Sequence, residues 1–138
     1  MEKLSAPMEN YLKTIYKLCR YDKTTRVSDI AAYMKLSKAS VCRATDFLSN
    51  KGLIYKEYYG ISLTAEGLEQ AELILKKYNI IQTFLNKVLD IDRSIAEKDA
   101  CSFEHSISLE SLQSMNYYLE SIRWRKISKR KKRNHLRT

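Results

Sequence analysis

Residues 26–63, "RVSDIAAYMKLSKASVCRATDFLSNKGLIYKEYYGISL", constrain the fold more than any other stretch of the chain. Ser28 offers an N-cap for a short helix to about Met34, "KLS" reads as a turn, and Ser37 caps a longer helix that stops at Gly52. A short helix, a three-residue turn and a longer helix make a helix-turn-helix. The next residues, "LIYKEYYGISL", are rich in β-branched and aromatic side chains and turn near Gly60, so they read as a two-stranded hairpin. A helix-turn-helix followed at once by a hairpin is a winged helix. The expected fold is therefore mainly α: an N-terminal winged helix-turn-helix with a two-stranded wing, followed by a helical domain.

The flanking sequence supplies the remaining helices. Pro7 and "MENYLKTIYKLCR" predict a first helix, with Met8, Tyr11, Leu12, Ile15 and Cys19 on one face and Asn10, Lys13 and Lys17 on the other. Thr64 caps a long helix running towards Leu89, with Leu68, Leu75, Ile81, Phe84, Leu85 and Val88 available for packing. A further helix is expected from about Ile95 to Ile107, and a last one from Ser108 to about Ile127. With 138 residues, 44% of them apolar and only four Gly plus Pro, the chain can bury one good core or two small ones. No uninterrupted apolar run suits a membrane span, and "MEKLSAPMEN" lacks the apolar run of a signal peptide, so a cytoplasmic protein with no membrane partner is expected. Three widely spaced cysteines form no disulfide framework, which fits a reducing compartment.

Charge divides the chain into three segments. Residues 1–64 carry a net +5, residues 65–122 a net −5, and residues 123–138 nine basic residues with no acidic one. The boundaries of two domains and a basic tail are placed there. A basic first half suits a polyanion such as DNA, and an acidic middle suits cations. On the second helix of the motif, Val41, Ala44 and Leu48 point inward. Ala39, Arg43 and Asp46 point outward and, with Lys38 and Ser40, are what a recognition helix presents to the major groove. Arg43 is the expected base reader because its fork can grip a guanine edge; Arg26, Ser37, Lys38 and wing Lys56 are the expected phosphate anchors. The tail "RWRKISKRKKRNHLRT" either adds phosphate contacts or is a disordered solubilising extension.

The segment "DACSFEHS", residues 99–106, raises a different chemistry. On the helix from Ile95 to Ile107, the residues Ile95, Ala96, Ala100, Phe103 and Ile107 make an apolar side, while Glu97, Cys101, Glu104 and His105 share the opposite one. A polar stripe usually faces solvent, but cysteine is among the most buried residue types, so its presence there implies a covered or occupied side. A thiolate, a carboxylate and an imidazole on adjacent turns make half or more of a transition-metal shell. A catalytic zinc is the competing use of such ligands, yet no nucleophile elbow, phosphate loop or second acid/base cluster accompanies them, and no enzyme is expected.

In order and spacing, "ENYLKTIY", "RVSDIAAYMKLSKASVCRATDFLSNKGLI", "GISLTAEG" and "EKDACSFEHSIS" resemble the diphtheria-toxin-repressor family of iron- and manganese-dependent transcriptional regulators. The likeness runs from about Pro7 to Leu119 and is to the short, two-domain manganese-regulator type without an SH3-like domain. It implies a winged-helix DNA-binding domain and a helical metal-binding and dimerisation domain, which the charge boundaries place at 1–64 and 65–122, with the basic tail over 123–138 beyond them. It also implies a homodimer that grips a palindromic operator in double-stranded DNA when metal is bound. Carried over residue by residue, Cys101, Glu104 and His105 match ligands of the iron type, and Asn10 stands at the first-helix ligand position. Glu97 stands where the iron type has a second-site His. Lys13 stands where the manganese type supplies a Glu, Tyr78 replaces the second-site His and Gln82 the Glu beside it, so the resemblance favours one ion per subunit. Fe²⁺ is the expected metal, with Mn²⁺ the other choice; a thiolate suits Fe²⁺ better. The expected function is a metal-dependent repressor of metal-uptake genes, and the alternative is a metal-independent winged-helix regulator whose site has decayed.

Overall fold

The computed structural model describes residues 3–136. Among these residues six helices and one two-stranded sheet form in the expected order. Helix α1 spans Ala6–Asp22, with Ser5 Oγ accepting from the Met8 amide and Pro7 in the first turn, where its missing N–H costs nothing. Helix α2 spans Val27–Met34 and α3 spans Lys38–Asn50. Ser37 caps α3 as expected, its Oγ accepting from the Ser40 amide at 3.1 Å. The cap of α2 differs from expectation: Arg26 holds the N-cap position without a side-chain bond, and Ser28 lies inside the first turn. The reason is the extended backbone at Arg26, set by Thr25, which exchanges both backbone hydrogen bonds with Ile61 (2.8 and 2.7 Å) and so starts the helix early.

Strand β1 (Ile54–Glu57) pairs antiparallel with β2 (Gly60–Leu63), Ile54 opposite Leu63, and Tyr58 and Tyr59 make the turn. Gly60 has φ +145°, and a Cβ there would lie 2.8 Å from the Thr24 Cβ, so this position beside the wing turn admits only glycine. Leu12, Ile15, Ile30, Val41, Leu48, Leu53, Ile54 and Ile61 form the core beneath the wing, and each is essentially inaccessible to solvent. Fully burying a side chain of this kind contributes about 1.5–3 kcal/mol.

Helix α4 spans Ala65–Lys87. Thr64 caps it with Oγ1 accepting from the Gly67 amide at 3.0 Å, while its hydroxyl donates to the Gly52 carbonyl at 2.7 Å. The chain divides into two compact units within this helix, between Leu75 and Lys76. Ala71 and Ile74 complete the first core, and Leu68, expected to pack, is exposed.

The second unit is built by the end of α4, by α5 (Arg93–Phe103) and by α6 (Leu109–Leu136) around Ile80, Ile81, Leu85, Ala96, Ala100 and Leu112. Two expectations are corrected here. Helix α5 begins at Arg93 and stops at Phe103 rather than running from Ile95 to Ile107. The Ser106 and Ile107 amides both turn back to the Phe103 carbonyl, and Ser108 caps the next helix through the Ser111 amide. Helix α6 continues well past Ile127 to Leu136, so the basic tail is helical as far as it is described; Arg137 and Thr138 lie outside the described residues. Among the described residues no helix is long and apolar enough to cross a membrane.

Candidate DNA-binding surface and metal centre

Helix α3 presents a clean division of faces. Val41, Ala44, Thr45 and Leu48 are buried, and the Thr45 hydroxyl is satisfied by donating to the Val41 and Cys42 carbonyls. Ser37, Lys38, Ala39, Arg43 and Asp46 are exposed and Ser40 is half-buried, so these residues lie on the solvent side of the first unit. Arg26, ahead of α2, is exposed as well. Lys56 behaves differently from a loose phosphate anchor. Its Nζ donates to Asp46 Oδ1 at 2.7 Å, to the Cys42 carbonyl at 3.2 Å and to Cys42 Sγ at 3.3 Å. Burial works against the ammonium charge, but the hydrogen bonds and negative charge of Asp46 and Cys42 outweigh it and hold its pKa above the ordinary lysine value. Lys56 thus ties the first wing strand to the recognition helix.

The sequence reading passed over the tyrosines of the wing. Tyr58, 96% exposed at the hairpin tip, packs edge-to-face against Tyr59 with ring centroids 5.4 Å apart. Two adjacent aromatics at a turn that buries neither were the available signal. Below them a shallow cleft of about 290 Å³ is lined by Arg26, Ser28, Lys56 and Tyr58 among others.

In the second unit, Ala96 and Ala100 of the expected apolar side of α5 are buried, but the buried stripe is narrower than expected and runs on to Glu104. Ile95 and Phe103, assigned to the packed side, are each about half exposed. Ala96 and Ala100 are fully buried, Glu97 and Cys101 are half-buried, and the Glu104 carboxylate is closed off from solvent. The side that carries Cys101 is therefore only partly covered, most completely at Glu104. Glu104 sits at the C-cap of α5, and its Oε1 lies 3.6 Å from His105 Nε2. Glu97 is engaged by Arg93, whose Nε donates to Oε1 at 3.0 Å. Tyr78 on α4 faces the same groups: burial first, then the negative charge of Glu97, Cys101 and Glu104, push its hydroxyl pKa up, with Arg93 opposing.

A buried carboxylate with a thiol, an imidazole and a second carboxylate near one tyrosine is a concentration of electron-pair donors, and it suits a divalent cation in kind. Among the described residues, however, no three His, Cys, Asp or Glu side chains are gathered closely enough to hold one. The reason is local: the helix ladder ends at Phe103, so His105 belongs to a turn and does not continue the register of Cys101. In the first unit, Asn10 Oδ1 is buried and has no hydrogen-bond partner among the described residues. A buried carbonyl oxygen left this way is itself costly, and a cation is one of the few things that would satisfy it. Lys13, one turn further along α1, is buried too.

Comparison with known proteins places this architecture. Residues 3–61 match the N-terminal DNA-binding domain of iron-dependent repressors, and residues 64–124 match their metal-binding and dimerisation domain. An uncharacterized HTH-type transcriptional regulator of Methanocaldococcus jannaschii is 30% identical over 122 residues, 87% of this chain and 98% of that one. The HTH-type transcriptional regulator MntR of Shouchella clausii is 31% identical over 106 residues, 76% of this chain and 73% of that one. Among solved structures, a hypothetical protein of Sulfolobus solfataricus superposes with a TM-score of 0.68 at 26% identity, covering 84% of this chain and 89% of that one. The manganese regulator SloR superposes with a TM-score of 0.73 at 27% identity, covering 82% of this chain but only 53% of its own length. The winged helix, the helical second domain and these likenesses over most of the chain lead to one conclusion: the protein belongs to the diphtheria-toxin-repressor family of metal-dependent transcriptional regulators, a family of DNA-binding proteins rather than enzymes.

Proposed function

We propose that this regulator is a repressor of metal-uptake genes that binds a palindromic operator as a homodimer when each subunit holds one Fe²⁺, with Mn²⁺ the second choice. The observation that carries the reading is the closed-off Glu104 carboxylate, 3.6 Å from His105 Nε2 and acting with Cys101 and Glu97 on the Tyr78 hydroxyl. A carboxylate is an expensive group to remove from water, and a divalent cation supplies the charge that compensates it. Cys101, Glu104 and His105 would hold the ion, with Asn10 as the ligand contributed by α1. Glu97, already paired with Arg93, would act by its charge.

Metal then favours the DNA-competent state by its differential affinity for the two arrangements of the ligands. In that state Arg43 reads bases, with Ala39 and Ser40 presented to the same groove, while Lys38, Ser37 and Arg26 contact phosphates. Lys56 holds the wing against α3 through Asp46. The domain limits follow the reading of charge, 1–64 for DNA and 65–122 for metal and dimerisation, with the basic tail beyond.

The test is an anaerobic DNA-binding titration after chelation and after addition of Fe²⁺ or Mn²⁺, on the native protein and on Cys101→Ala. Metal-stimulated binding in the native protein, lost in the variant, is expected; equal binding in all conditions defeats the proposal. One observation favours a second reading, in which DNA binding has become metal-independent. No three of the metal-type side chains converge among the described residues, and by the resemblance Lys13, Tyr78 and Gln82 stand where a Glu, a His and a Glu are expected. Full-strength operator binding in the presence of chelator would select it.

A further inference from the structure

The basic tail folds as the last turns of α6, and every side chain from Arg123 to His135 is exposed. At about 3.6 residues per turn, seven of the eight basic residues between Arg123 and Arg133 fall on one half of the helix. The opposite half carries Lys131 with Trp124, Ile127, Ser128, Asn134 and His135. Ten residue steps at about 1.5 Å span about 15 Å, so the eight charges are spaced at about one per 2 Å of axis. Duplex DNA presents one negative charge per about 1.7 Å. No Asp or Glu follows Glu120, so wherever two charged side chains meet at i,i+3 or i,i+4 between Arg123 and Arg133, as at Lys126–Arg130 and Lys129–Arg133, the charges are alike, and nothing within these turns neutralises the stripe.

We infer that the end of α6 is a second DNA-binding element, a helical arm whose one-sided basic stripe lies along the phosphate backbone of double-stranded DNA. The inference rests on the DNA-binding reading above, not on its metal dependence. The arm contributes affinity without sequence preference, because its contacts are to phosphates. A membrane surface fits less well. Trp124 and Ile127 are the only apolar side chains on the non-basic half among Arg123 to His135, too few to anchor a helix in an interface.

The test uses the full chain and two triple variants with the same loss of charge. Lys126→Gln/Arg130→Gln/Arg133→Gln strips one row of the stripe; Lys76→Gln/Lys87→Gln/Lys98→Gln removes three lysines elsewhere in the second unit. Binding to a labelled duplex of arbitrary sequence is followed by anisotropy against salt, in chelator and again with Fe²⁺. The stripe variant is expected to lower the slope of log Kobs against log salt by about 2–3, at about 0.9 per phosphate lost, with the control changing it by less than about 1. Equal slopes for native protein and stripe variant, equal effects of the two triples, or tighter binding to vesicles of about one-third phosphatidylserine than to duplex would each overturn the inference. A missing metal response would instead defeat the metal-dependent reading and leave the slope comparison intact.

Discussion

Gly67 lies in the first turn of α4, where helix propensity alone says that Gly67→Ala should stabilise the protein by about 1 kcal/mol. The structure reverses the sign. A Cβ at Gly67 would sit 1.8 Å from the Leu53 carbonyl oxygen and 2.8 Å from its carbon. Relieving that contact requires a retreat of more than about 1 Å between the start of α4 and the residue that leads into the wing, because ordinary carbon–oxygen contacts begin near 3.3 Å. The same oxygen accepts from the Thr64 amide at 3.1 Å, and the Thr64 hydroxyl bridges the Gly52 carbonyl and the Gly67 amide. Overpacking costs about 1–3 kcal/mol and a lost N-cap about 1 kcal/mol more. Against a propensity gain of about 1 kcal/mol, net destabilisation of about 2 kcal/mol is expected, a fall in midpoint of about 4–8 °C for a chain of this size. Thermal and urea unfolding followed by far-ultraviolet circular dichroism measure it. An alanine variant as stable as the native protein, or more stable, would refute the reasoning and show that Leu53 and α4 are not in close contact.

The other expectations concern function and titration. Arg43→Ala should weaken operator binding by about 1–3 kcal/mol, about 5- to 150-fold, and leave binding to arbitrary duplex little changed; a uniform loss on both DNAs would reassign Arg43 to phosphate. Fe²⁺ at one hundred times its dissociation constant should raise unfolding free energy by about 2.7 kcal/mol, and Glu104→Ala should erase the gain; an identical metal-induced midpoint shift in the variant would exclude Glu104 as a ligand. Ellman's reagent should modify exposed Cys42 first and Cys19 slowly, since Cys19 is half-buried, donates to the Ile61 carbonyl, and has its pKa raised by burial. Rapid loss of both thiols at neutral pH would contradict the packing of α1 against the wing. Because the folded protein holds the Cys19 proton more tightly, the associated stability is intact below the ordinary thiol pKa and declines as pH rises through the raised value, a trend that Cys19→Ala should remove.

Much of this protein is legible in the order of its residues, because the signals involved act over one or two turns. Ser37 and Thr64 announce helix starts through hydroxyls that reach an amide three residues on, and Gly60 announces the turn of the wing. Apolar spacing put Val41, Ala44 and Leu48 inward and left Arg43 outward, since a helix that packs on one side has little choice. The spacing of Cys101, Glu104 and His105 was visible in the same way.

Tertiary structure decided what spacing cannot encode. A projection treats α5 as an isolated cylinder and assigns a broad buried face by counting apolar residues; packing with Ile81, Leu85 and Leu112 kept only the smallest side chains of that face, Ala96 and Ala100, fully buried. That choice exposed Ile95 and Phe103 and sealed Glu104. Lys56 looked like a free cation until the hairpin register brought it to Asp46, ten residues away in the chain. Ser28 lost its capping role because a bridge between Thr25 and Ile61 fixed the preceding backbone. The sequence by itself determined which segments form helices and which chemistry they carry. The pairing of distant segments determined which of those groups are buried, which are already engaged, and which face solvent, because burial and long-range hydrogen bonds depend on neighbours that no local pattern names.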